Sequence, residues 1–162
     1  MMPTRLIVWV ALAALLPQIF VSAVQAASGP FAGMSGSWTG GGTLTMSGGQ
    51  RERLRCRAAY AVGEDGRNLQ LNLRCASDSY DFNLASDVQY QGGAIAGSWS
   101  ESSHNAAGTI SGRADGRHIE AVARGDNFAA SLALTTSVGR QSVLIEPQGT
   151  DVRSVAVTLS RR

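Results

Sequence analysis

From Arg51 onward the chain alternates apolar and polar residues with a period of two. Between Arg51 and Val62, Leu54, Cys56, Ala58, Tyr60 and Val62 share one parity, and Arg51, Arg53, Arg55 and Arg57 share the other. That is the pattern of a strand with one face buried and one in water. Gly63-Glu64-Asp65-Gly66 supplies a turn, after which Leu69, Leu71, Leu73 and Cys75 alternate with Asn68, Gln70, Asn72 and Arg74. One antiparallel register sets Val62 opposite Leu69, Tyr60 opposite Leu71, Ala58 opposite Leu73 and Cys56 opposite Cys75. A slip of one residue would turn one strand's apolar side chains to the other face. The register therefore predicts a cross-strand Cys56–Cys75 disulfide on the interior face.

The same alternation continues to the C-terminal end. Tyr80, Phe82 and Leu84 alternate with Asp81 and Asn83; Val88 and Tyr90 lead into Gly92-Gly93, a two-residue hairpin turn; Ile95 and Trp99 share a face of the returning strand. Further strands are expected over 106–113, 117–124, 128–136, 141–146 and 152–160, separated by turn residues such as Asp115-Gly116 and Asp126-Asn127. No segment after Ala26 shows a helical repeat. The fold class is all-β: an antiparallel meander of about eight to ten strands closed into a small barrel, with a two-sheet sandwich as the alternative.

The N-terminal segment follows different rules. Arg5 precedes an apolar run from Leu6 to Leu16, and Val24-Gln25-Ala26 places small residues at a signal-peptidase site. Residues 1–26 are thus expected to be a signal peptide cleaved after Ala26, residues 27–35 a short linker, and residues 36–162 a single barrel domain. Pro17 and Gln18 interrupt the run before the roughly 20 residues a spanning helix needs. The mature product is expected to be periplasmic or secreted and not membrane-spanning. Two cysteines in an exported chain agree with one disulfide. The four residues Cys56, Cys75, His104 and His118 lack the spacing of a zinc site, so no metal is expected.

Charge narrows the partners. All 14 basic residues are arginine, against 12 acidic ones, and loss of Arg5 leaves a near-neutral domain without the basic excess of a nucleic-acid binder. The stripe of Arg51, Arg53, Arg55 and Arg57, extended by Arg74, is a surface basic patch with two readings: contact with an anionic envelope component, or blunting a strand edge and keeping the sheet soluble. It also argues against an outer-membrane barrel, whose lipid face would have to accept it.

Two related segments, Gly36-Ser37-Trp38-Thr39 and Gly97-Ser98-Trp99-Ser100, each read as a small-residue opening of a strand. Gly36-Ser37-Trp38 resembles the opening motif of the calycin superfamily, which includes lipocalins, avidins and small barrel inhibitors of secreted metalloproteases. The chain also resembles uncharacterised exported proteins of proteobacteria. The calycin resemblance implies that Trp38 packs across the barrel floor and meets an arginine from a late strand, with Arg153, Arg161 and Arg162 as candidates. The second Gly-Ser-Trp has no counterpart in that opening motif.

Catalytic chemistry finds no signature. Glu101-Ser102-Ser103-His104 gathers an acid, hydroxyls and an imidazole, yet reads as a polar hairpin loop, and there is no Gly-x-Ser-x-Gly elbow. Gly40-Gly41-Gly42 continues into a strand and not into a helix, so it is no phosphate loop. If the barrel is hollow, its wall is drawn from Tyr60, Leu71, Tyr80, Phe82, Tyr90 and Trp99, a lining suited to a small apolar or amphipathic ligand; the alternative is a side-chain-filled core. The expected function is a non-enzymatic exported binding module without cofactors, for such a ligand or an envelope component. A domain that binds or inhibits another exported protein is the second reading, and a hydrolase using the His104 loop is the third.

Overall fold

The computed structural model describes residues 28–162; the expected signal peptide lies outside them. Ten strands follow one another: β1 (Gly36–Met46), β2 (Arg51–Val62), β3 (Asn68–Ala76), β4 (Asp81–Gln91), β5 (Ala94–Glu101), β6 (Ala106–Asp115), β7 (His118–Gly125), β8 (Phe128–Ser137), β9 (Arg140–Gln148) and β10 (Val152–Arg161). Each pairs antiparallel with its sequence neighbours, and β1 closes the barrel against β10. The barrel and its strand positions match the alternation read from the residues, and no sandwich forms.

The β2–β3 register is the expected one, with Val62 opposite Leu69, Tyr60 opposite Leu71 and Ala58 opposite Leu73. It brings Cys56 and Cys75 to a Cα separation of 4.2 Å, and they form a disulfide. Both are buried. Around the barrel the parity rule holds: apolar positions point inward and polar ones outward, the reverse of a transmembrane barrel.

Closure changes the meaning of the arginine stripe. Because β2 is paired by β1 on one side and β3 on the other, it has no free edge. The edge-protecting role is therefore ruled out by the topology, since a closed barrel leaves no edge to protect.

Bending ten short strands into a ring needs close backbone approach at particular points. At Gly108 on β6, a Cβ would overlap the backbone carbonyl oxygen of Arg124 on β7. At the Gly92-Gly93 hairpin both residues have positive φ, 57° and 90°, the requirement of a type I′ turn.

The two ends of the barrel differ. The floor end carries the β2–β3, β4–β5, β6–β7 and β8–β9 turns. Segment 28–35, read from sequence as a linker, lies across this end, with Phe31 and Met34 fully buried in the core. The mouth end carries the remaining turns, and a register shift between Thr45 and Met46 bends β1 there against β10.

Candidate functional site

Apolar packing at the floor is dense. Trp38 is fully buried, its Nε1–H donates to the Met34 carbonyl at 2.8 Å, and the Arg161 guanidinium lies 4.9 Å from its ring centroid. The same guanidinium donates to the Gly33 carbonyl, tying the last strand to the N-terminal plug. Of the three arginines implied by the calycin resemblance, Arg161 is the one that meets the indole. Tyr60 stands edge-on to Trp38 at 6.3 Å, and its hydroxyl donates to Gln141 Oε1 at 2.9 Å. Burial pushes the Tyr60 phenol well above its usual range, only partly offset by the Gln141 bond. Leu69, Val88, Ile95, Ile119 and Leu159 complete a sealed floor.

Above that floor burial is uneven: Leu44, Leu54, Cys56, Cys75, Trp99 and Val152 are buried. Leu71 and Leu73 on β3, Phe82 and Leu84 on β4, Leu132 on β8, and Val143 and Ile145 on β9 face inward, yet each remains partly accessible. Most of them pack against the buried core and keep only part of their surface accessible. About eight strands give an interior that side chains just fill and diameter grows with strand number, so a ten-strand ring leaves some inward side chains partly accessible. The small residues Ala121, Ala123 and Ala130 share the inward parity of the β7–β8 wall, and Ala121 and Ala130 are buried.

The five aromatics expected to line a ligand site divide between the two ends. Tyr60 is part of the floor, and Tyr90, opposite Ile95, also lies at the floor end. Phe82 faces inward beside Cys75. Trp99 lies near the end of β5 and not at its start, so the two Gly-Ser-Trp segments occupy opposite ends of the barrel. Its indole packs on Gly125, donates to the Arg124 carbonyl at 3.3 Å, and meets Phe128 with centroids 5.4 Å apart. Tyr80 sits in the β3–β4 turn and stacks on His104 at 5.4 Å.

Two carboxylates order the rim of the mouth. Glu101 accepts from the backbone N–H of Asn83 (2.7 Å), Ser103 (2.9 Å) and His104 (2.7 Å), and its Oε2 lies 2.8 Å from His104 Nδ1. Burial pushes this carboxyl up, but the four hydrogen bonds together more than reverse the effect and hold it at about 2. Glu52 accepts from the Ser77 and Ser79 hydroxyls and the Ser79 N–H, which lower its pKa. Neither arrangement is a nucleophile–base pair. Ser103 Oγ donates to Asp81 and accepts from Asn83 Nδ2, and His104 Nδ1 is engaged by Glu101.

Several of these contributors carry weak sequence signals. Glu52 shares the parity of Leu54 and Cys56, which places it on the inner face at the mouth. Phe128 directly follows the Asp126-Asn127 turn. Gln141 and the plug residues Phe31 and Met34 become part of the site only through contacts far along the chain.

No known protein-family model and no curated protein sequence matches this chain. Among solved structures, it is similar to the S-type phycobiliprotein lyase CPES from Guillardia theta, with 15% sequence identity, a TM-score of 0.53, and coverage of 82% of this chain and 89% of that one. The likeness extends over most of the chain at low identity and shows a similar overall fold, here a closed antiparallel barrel of ten strands.

Proposed function

We propose that this protein is an exported binding module that holds a small apolar or amphipathic ligand in the upper half of its barrel. The observation that carries the reading is the set of inward, partly accessible apolar side chains above a sealed floor. Apolar walls with few polar groups suit hydrophobic small molecules. The calycin-like likeness to a phycobiliprotein lyase is compatible with a small-molecule site in such a barrel. Binding without turnover is favoured because the rim's hydroxyls, carboxylates and imidazole are committed to ordering turns.

A neutral apolar fluorophore, N-phenyl-1-naphthylamine, tests the reading. The protein is expected to enhance its emission saturably at one site, and Ala123→Trp, which fills the wall opposite Ala130, is expected to weaken that binding at least tenfold. Absence of saturable enhancement, or an unchanged affinity in the filled variant, would overturn it.

Export rests on the sequence of residues 1–26 and is supported by the disulfide, which belongs to an oxidising compartment. Intact mass of protein recovered from cells is expected to match cleavage after Ala26 with both thiols oxidised. An uncleaved chain with free thiols would contradict it.

A further inference from the structure

We propose that the outer wall formed by β10, β1, β2 and β3 docks on an anionic phospholipid surface. Arg51, Arg53, Arg55 and Arg57 stand along β2 at every second position, and all four are exposed. Arg74 on β3 lies directly opposite Arg57, and Thr39 on β1 flanks Arg57 on the other side. Arg162, just after β10, donates from Nε to Thr39 Oγ1 at 3.3 Å. Six guanidiniums thus share one wall. No outward position of these four strands is Asp or Glu; on the β3 side the nearest outward carboxylates are Asp81 and Asp87 on β4.

Strand pairing does not favour this arrangement. Like charges directly opposed across strands are destabilising, and the Arg57–Arg74 pair is relieved by no carboxylate: among the described residues the ion pairs are His104–Glu101 and His118–Glu120 alone. Edge protection is excluded by closure. Between Arg57, Arg74 and Arg162 lies a depression of about 370 Å³, also bordered by Thr39, Ala59 and Asn72. Guanidinium forks and neutral hydrogen-bonding groups around such a hollow match a phosphate oxyanion.

Extent and composition select the partner. Side chains on one face of a strand repeat about every 6.6–6.8 Å and strands lie about 4.8 Å apart, so the array spans far more than one ion. Alanine is the largest apolar residue at outward positions of β1, β2, β3 and β10. A protein interface would normally have an aromatic or aliphatic anchor at its centre, whereas a charged lipid surface requires only basic residues.

Co-sedimentation of the disulfide-bonded protein with vesicles tests the docking. Binding is expected to phosphatidylcholine vesicles containing phosphatidylglycerol, and not to phosphatidylcholine alone. Excess soluble glycerol phosphate should compete weakly, and high salt should release the protein. Each basic residue near such a surface is worth about fivefold, so the triple variant R51Q/R53Q/R55Q should lose about a hundredfold. The equal-charge control R113Q/R117Q/R124Q, on β6, β7 and their connecting turn, should bind as the parent does. Equal binding to both vesicle types, no binding to anionic vesicles at low salt, full competition by glycerol phosphate, or equal losses in the two triple variants would overturn the proposal. Size-exclusion elution and an intact disulfide in both variants confirm that the comparison is between folded proteins.

Discussion

Tyr60 and Gln141 meet in the barrel floor although 81 positions separate them. Gln141 is fully buried, and among the described residues its Nε2 has no partner and Tyr60 is the one side chain that satisfies its carbonyl. Tyr60→Phe would leave that oxygen buried and unpaired, which costs about 1–3 kcal/mol; urea unfolding should show the loss as a lower midpoint with an unchanged slope. Glu101 gives a pH signature of its own. Its carboxyl is held at about 2 against an ordinary value of 4.5, so the unfolded chain takes up the proton first. The stabilisation is complete above about pH 4.5 and is lost as pH falls toward 2. Glu101→Gln should flatten the decline of the melting temperature over that acid window, and an equally steep decline in the variant would contradict the assignment.

The element most clearly written into the sequence is the β2–β3 hairpin. Strict alternation on both strands, a Gly-rich turn and two cysteines all demanded one register, because any slip would expose Leu71 or Tyr60 and separate the sulfurs. Reduction of Cys56–Cys75 reopens a loop of about 20 residues and should cost about 3 kcal/mol, measured as the difference in unfolding free energy with and without reductant. The Gly108–Arg124 approach on β6 and β7 belongs to the same scale. Gly108→Ala forces a Cβ against a backbone carbonyl, an overpacking cost of about 1–3 kcal/mol or more, with loss of folded yield the expected readout. Such glycines were visible in the sequence, but their necessity was not, since it depends on how sharply the sheet coils at each rung. Residues 28–35 were opaque for a related reason. Phe31 and Met34 sit in a short segment without periodicity, and only the closed barrel supplies the floor they cover.

At the scale of the whole molecule, closure of β1 on β10 controls the interpretation of both faces. On the outside it removes every strand edge and leaves the arginine wall without an edge to protect. On the inside it sets a circumference larger than that of the eight-strand barrel that side chains just fill; several inward side chains stay partly accessible while Trp38, Arg161 and the plug seal the base. Parity along each strand told which residues face inward. Strand number and closure, which no local pattern encodes, decided that Tyr60 and Tyr90 lie at the floor end while Phe82 and Trp99 lie at the mouth end. The central proposal is that the barrel interior takes an apolar ligand, and methyl-resolved NMR during titration with N-phenyl-1-naphthylamine tests it most directly. Shifts are expected for the methyls of Leu71, Leu132, Val143 and Ile145, with the outward-facing Leu144 and the exposed Val138 unmoved. Shifts confined to Leu144 and Val138 would place the ligand on the outer surface and contradict it.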